Sequence, residues 1–274
     1  MISTVRALAA GLLLLLLRLR ALVPVLSLPF RMNLVSSVFA AGSCLFLFCV
    51  VRDITRNRLA ALFAALAFGF SFEVWLQATA LEVYSLQAML TAASLWAVLR
   101  WTRSGRIRDL GLGWFIVGLG IANHLTALLW VPGLLALSFA GPWRLNPARA
   151  ILPALGLFLL GPCLYLALPA LAEPGRHAGW GGIAGLPDLV GFVSGRIYRY
   201  RLLAGESGFV GSLPALLGRQ FLAAWLFAVP GAVALARGQR RFGLALLLGA
   251  VLTLGFTLGY NIPDKQGYLL PVYL

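Results

Sequence analysis

Residues 110–139 read LGLGWFIVGLGIANHLTALLWVPGLLALSF, a 30-residue apolar stretch whose only breaks are Asn123, His124 and Pro132. A straight helix of that length would rise about 45 Å at 1.5 Å per residue, against a membrane hydrocarbon core of about 30 Å. It would also carry Arg108 and Arg144 to opposite ends. Two short helices meeting near Asn123-His124, or a re-entrant hairpin, keep both arginines on one side. The pair of helices is the preferred reading, and it sets the direction of every segment around it.

Outward from this stretch the chain alternates apolar runs with short basic connections. Runs long enough to approach a spanning helix are Leu34–Val51, Leu59–Leu76, Thr79–Trp101, Ile151–Leu171, Phe221–Leu235 and Phe242–Tyr260. Residues 7–30 are apolar too, but Arg18, Arg20 and Pro24 interrupt them. No small-x-small cleavage signal follows, so this segment is read as part of the mature chain. Connections 52–58, 100–109, 141–149 and 237–241 hold 12 of the 22 basic residues and only two acids, Asp53 and Asp109. The positive-inside rule makes these connections cytoplasmic.

Composition agrees with that pattern. The chain has 274 residues, 61% of them hydrophobic and 11% charged, with a mean hydropathy of +0.92. A soluble domain carries about 25% charged residues. The sequence therefore reads as an all-α polytopic membrane protein of about eight to nine membrane helices, one integral membrane domain over residues 1–274. Residues 172–218 form its long non-cytoplasmic loop. The net charge of +14 is mostly accounted for by the orienting loops. The remaining arginines are scattered instead of gathered on one face, which argues against nucleic acid. Cys44, Cys49 and Cys163 sit in apolar runs at no metal-ligand spacing and read as small hydrophobes.

With the basic loops inside, the chemically interesting residues fall on the other face. Six of the eight acids and both histidines lie there, among them Glu73, Glu82, His124 and Asp264. No P-loop, HExxH, paired CxxC or GxSxG occurs, and no cofactor or metal is implied. The stretch Gly179-Trp180-Gly181-Gly182-Ile183-Ala184 spells GxGxxA without the strand and helix that would give it meaning, so it reads as a turn. Glu82 stands at the start of an apolar helix, where a carboxylate is costly unless paired, hydrated or functional. It is read either as a hydrated residue at a helix end or as part of a site. Asn123-His124 is read either as a helix-packing hydrogen-bond pair or as part of that same site. The segment Arg196-Ile197-Tyr198-Arg199-Tyr200-Arg201 interleaves three arginines with aromatics. Guanidinium forks match phosphate oxygens, so it suits a lipid phosphate; an unspecific basic-aromatic belt at the headgroups is the competing reading.

The chain resembles the bacterial relatives of the transmembrane O-mannosyltransferases, a membrane family with a GT-C-like glycosyltransferase fold. The resemblance is carried by RMNLVSSVFAA at 31–41, FSFEVWLQATALEVYSLQAML at 70–90 and GLGIANHLTALLWVPGLL at 118–135. It continues through Trp180-Gly181, Arg196-x-Tyr198 and DKQGYLLPVYL at 264–274. It implies a GT-C-like bundle that takes a sugar from a polyprenyl-phosphate donor on the non-cytoplasmic face, with membrane lipid as its surroundings and an acceptor protein or glycan still to be named. A bacterial inner membrane is the implied location, and the lipid-phosphate sugar is a substrate, not a cofactor. By position, the resemblance implies Glu82, His124 and Asp264 as catalytic candidates. It likewise carries over Arg196, Tyr198 and Trp180; Arg196 and Tyr198 are read, with the adjacent Arg199 and Arg201, as donor-phosphate ligands, and Trp180, with Asn123 and Tyr84, as acceptor or sugar contacts.

The sequence also departs from the family pattern. Relatives begin with another membrane helix and an outer loop bearing an acid and a His-Pro-Pro-Gly-Tyr-Pro motif, which have no counterpart here. Gly182 stands where an acid or amide is expected. The chain ends within LLPVYL, where relatives continue. The sequence thus reads as an incomplete copy. Two alternatives stand beside the transferase: a carrier or channel for lipid-linked sugars, disfavoured by the lack of inverted repeats, and an inactive or purely structural remnant.

Overall fold

The computed structural model describes residues 27–142, 147–171, 183, 185–202, 208–261 and 265–274. Among them every regular element is helical. In chain order these are α1 (Leu28–Thr55), α2 (Arg58–Gly69), α3 (Phe72–Ala78), α4 (Val83–Ser104), α5 (Ile107–Asn123), α6 (Val131–Phe139) and α7 (Pro147–Leu160). They are followed by α8 (Leu168–Leu171), α9 (Leu186–Val193), α10 (Gly208–Phe221), α11 (Ala228–Gly238), α12 (Arg240–Gly259) and α13 (Leu270–Tyr273), with short 3₁₀ turns between several of them.

Three segments are long and apolar enough to cross a membrane, Pro29–Thr55, Ala148–Ala167 and Arg240–Gly259. The α2–α3 pair adds a fourth if its 65° bend belongs to one span. Outward-facing side chains on these segments are largely apolar; Leu59, Phe63, Leu152 and Leu247 are each more than half exposed. Such surface would be a liability in water and is ordinary against lipid tails. These features fit an integral membrane protein.

The central helix is α4. Ala88, Ala92, Ala93, Ala97 and Val98 give it a small-residue surface, and all are buried. Small side chains let α1 and α5 approach it from two sides. Tryptophans at its lower end fasten the bundle: Trp101 donates its indole N–H to the Ser138 carbonyl at 2.9 Å, and Trp114 on α5 donates to Ser138 Oγ at 3.2 Å. Both indoles are thereby satisfied inside the core, as a buried N–H requires.

The ends of the helices follow from local chemistry. Asn57 caps α2 by accepting from the amides of Leu59 and Ala60, while Arg56 before it takes a left-handed turn. Gly105 closes α4 at φ +64°, the conformation glycine adopts without penalty. Thr79–Trp101 was expected to be one helix; it starts instead at Val83, because Thr79 terminates α3 and Glu82 is extended at the cap of α4. Ile151–Leu171 is met by one apolar helical segment, Ala148–Ala167, that tightens from α to 3₁₀ at Gly161-Pro162, whereas Phe221–Leu235 is broken after Phe221, where Leu222 holds φ +52°. The 172–218 segment, read as a loop, carries α9 and part of α10.

The 110–139 stretch is divided as the arginines require. Helix α5 stops at Asn123, His124 is extended (φ −156°, ψ 130°), and a 3₁₀ turn at Leu125–Trp130 leads into α6. Arg106 and Ala140 consequently lie toward the same end of the bundle, where Arg241 also reaches the Ala140 carbonyl. The two acids of that end are neutralised locally. Asp53 pairs with Arg52 at 2.9 Å and accepts from the Trp96 indole, and Asp109 accepts from Ser104 Oγ at 2.7 Å. The charged connections gather at one end, and Glu82 and His124 at the other.

Helices α5 and α7 run side by side through glycine. A Cβ on Gly118 would overlap the carbonyl of Phe158, and one on Gly161 would overlap the Gly118 backbone. Neither neighbour is a side chain that can move aside. Gly118→Ala is therefore expected to lower stability by about 1–3 kcal/mol, read as a fall in thermal unfolding of the detergent-solubilised protein. Gly156→Ala on the same helix pair, where nothing lies within 4 Å, should unfold at or above the wild-type temperature.

Candidate functional site

At the end of the bundle away from the arginine-rich connections, three helix ends meet: the start of α4, the end of α5 and the end of α12. Each contributes one or more aromatic rings. Tyr84 on α4 packs against His124 at 6.0 Å between ring centroids and against Tyr268 edge-on at 5.4 Å. His124 lies 5.2 Å from Tyr268, which continues the cluster to Tyr260 at 6.0 Å. A Cβ on Gly267 would come within 2.7 Å of the Tyr84 ring, so the glycine is what lets the 265–274 segment lie against α4.

The polar groups around these rings divide into engaged and free. Asn123 is engaged: its amide donates to the Val83 carbonyl at 3.1 Å and to Gln87 Oε1 at 3.2 Å, tying the end of α5 to the start of α4. His124 has a local task as well. Its Nδ1 contacts Thr126 Oγ1 at 2.8 Å and caps the 3₁₀ turn that begins the return. Tyr84 is buried at 6% exposure, within the aromatic cluster. Glu82 is different. It is exposed, it makes no side-chain cap contact with its own helix, and its carboxylate meets no partner among the described residues.

The arginine-aromatic segment reaches this same end. Its 3₁₀ turn, Arg196–Arg201, is held to the end of α12 by a bridge between Leu202 and Tyr260 and by the Asn261 amide donating to the Arg201 carbonyl at 3.1 Å. Arg201 also donates to the Asn261 carbonyl and lies over the Tyr200 ring. Tyr260 belongs to the cluster of Tyr268 and His124, so Arg201 stands one residue contact away from it. Arg199 is exposed, and Arg196 is exposed with its guanidinium against Gly191. The side chain of Tyr198, and residues Trp180 and Asp264, lie outside the described residues. Among the described residues no group of His, Cys, Asp and Glu could hold a metal ion.

The structure therefore brings Tyr84, Asn123 and His124 together, with Glu82 at the cap of the same helix as Tyr84, and ties the Arg201 segment to the cluster through Tyr260 and Asn261. A model of the protein O-mannosyl-transferase TMEM260 N-terminal domain matches residues 9–146. The chain belongs to this family. The matched part of this O-mannosyl-transferase relative runs through α6 and includes Glu82, Tyr84, Asn123 and His124, while the arginine segment and Tyr268 lie beyond it. No curated protein and no solved structure matches the chain.

Two features of this region were not read from the sequence as site residues. One is Tyr260, which joins the cluster around His124 through Tyr268 and which adjacency along the chain could not reveal. The other is Glu73, expected near a surface turn, which is 2% exposed. The spacing of Glu73 and Gln77, four apart on one helix face, was the available signal.

Asn123→Ala removes both donors that hold the α4–α5 junction and leaves Gln87 Oε1 without this donor. The expected loss is about 1–3 kcal/mol of stability, measurable as a lowered unfolding midpoint in detergent.

Proposed function

We propose that the chain is an integral-membrane glycosyltransferase that transfers a mannose-type sugar from a polyprenyl-phosphate donor on the non-cytoplasmic face of a bacterial inner membrane. The reading includes a GT-C-like arrangement of eight to nine membrane helices. The observation that carries it is Glu82: an exposed carboxylate with no partner among the described residues, at the end opposite the arginine-rich connections and inside the family match.

In this reading Glu82 takes the proton of an acceptor hydroxyl as its oxygen forms a bond to the anomeric carbon. The bond from that carbon to the phosphate oxygen breaks, and the lipid phosphate leaves with the electron pair. Arg199 and Arg201, with Arg196 and Tyr198, meet the charge that grows on the leaving phosphate. His124, Asn123 and Tyr84 shape the wall behind the acceptor, and Trp180 and Asp264 complete the sugar and acceptor contacts. A carrier of lipid-linked sugars would bind the same donor without breaking that bond.

Glu82→Gln should lower transfer from polyprenyl-phosphate mannose by about 10²–10⁴-fold, and Arg201→Ala should raise the KM for donor. Unchanged turnover in both removes the site assignment. Donor binding without product in the wild type favours the carrier. Sidedness has its own test: with the three native cysteines replaced, Thr55→Cys and Ser194→Cys should react with impermeant maleimide from opposite sides. Labelling from one side overturns the orientation.

A further inference from the structure

Glu73 belongs to a second polar cluster, apart from the aromatic one. Its amide N–H donates to Gln220 Oε1 at 2.7 Å, and its Oε1 accepts from Gln77 Nε2 at 2.9 Å. Glu73, Gln77 and Gln220 are 2%, 7% and 5% exposed. Tyr273 joins them through the next residue, its ring edge-on to Phe221 at 5.5 Å. Burial and the nearby Glu73 carboxylate push the Tyr273 phenol above its ordinary pKa, so it stays protonated and available as a donor.

After these contacts each of the four residues keeps one buried polar atom with no partner among the described residues: Glu73 Oε2, Gln77 Oε1, Gln220 Nε2 and Tyr273 Oη. A buried polar atom left unpaired costs about 1–3 kcal/mol, and four in one cluster is a large sum to leave standing. The set is chemically matched. Two atoms accept, one donates, and the phenol does either. That is the complement of hydroxyl oxygens, which donate toward Glu73 and Gln77 and accept from Gln220 and Tyr273. A water molecule meets part of this demand, and the hydroxyls of a sugar reproduce and extend it.

The cluster borders a groove through one of its members. Gln220 lines a groove of about 640 Å³ whose other walls include Phe72, Trp75, Arg219 and Phe221. The Arg219 guanidinium lies 3.6 Å from the Phe72 ring centre, so the rim is aromatic with one charged edge. Immediately after Phe221, Leu222 holds φ at +52°, a strained conformation for a residue that is not glycine. The strained joint thus sits next to Phe221, which lines the groove and packs edge-on against Tyr273.

We infer that Glu73, Gln77, Gln220 and Tyr273 form a carbohydrate-hydroxyl site entered through the Phe72–Trp75–Phe221 groove. It is distinct from Glu82, and it rests on the reading of the chain as a sugar-handling protein. The groove's rings take the apolar face of the sugar or its aglycone, and the carboxylate and carboxamides take its hydroxyls.

The test is equilibrium binding of phenyl α-D-mannopyranoside to the full chain in nanodiscs, with methoxybenzene as the probe that keeps the ring and lacks the hydroxyls. Wild type should bind the mannoside saturably. Glu73→Gln and Tyr273→Phe should each weaken it at least tenfold, with methoxybenzene binding unchanged. Tyr273→Phe removes one oxygen and adds no bulk, so it keeps the test alive if Glu73→Gln does not fold. Wild-type-like affinity in both variants, or no mannoside binding beyond that of methoxybenzene, overturns the inference and leaves water as the occupant. Loss in Glu82→Gln and Arg201→Ala but not in Glu73→Gln also overturns it, while leaving the transferase reading intact.

Discussion

A helix that stops must hand its last unpaired backbone groups to other partners. The break at Asn123-His124 is where this chain meets that demand, and much of the bundle is organised around meeting it. His124 Nδ1 receives the amide of Thr126, Tyr165 on the Pro162–Ala167 turn donates to the Ile121 carbonyl at 2.6 Å, and Asn123 donates to the Val83 carbonyl. Each partner comes from a different stretch, so satisfying the break also fixes where α4 begins and where the segment after α7 runs. Tyr165 can reach Ile121 because Gly118 and Gly161 let the two backbones touch.

The same break makes a site available. By ending α5 and turning the chain back, it leaves His124 at a surface shared with the start of α4 and the end of α12. Rings fill the gap between the three helix ends. The exposed acid stands beside them because α4 starts at Val83, one residue after Glu82, and leaves its cap unfilled. A structural requirement of the fold and the placement of candidate chemistry are thus two results of one interruption.

Much of this was legible in residues 110–139. The length of the run, the two arginines at its ends and the Asn-His pair in its middle together require a reversal, and the structure reverses there. Basic clustering in four connections was equally readable, since charge sorts by position along the chain. The pairing of Tyr84 with Tyr268 was not, because the two lie far apart in sequence and nothing in either stretch encodes the other. The helix interruption after Phe221 was hidden by uniform hydropathy. The burial of Glu73 was not legible for a related reason: it depends on Gln220, which arrives from a different part of the chain.

The concentration of arginine at one end of the bundle has an energetic consequence for how the protein is held. Moving one elementary charge through a membrane potential costs about 2.3 kcal/mol per 100 mV, before any desolvation is counted. Arg52, Arg56, Arg100, Arg103, Arg106, Arg108, Arg237, Arg240 and Arg241 would all have to cross together to turn the bundle over. Orientation is therefore decided once, during insertion, and is afterwards a kinetically locked property of the molecule. Whatever face Glu82 meets at birth is the face it serves for the lifetime of the chain.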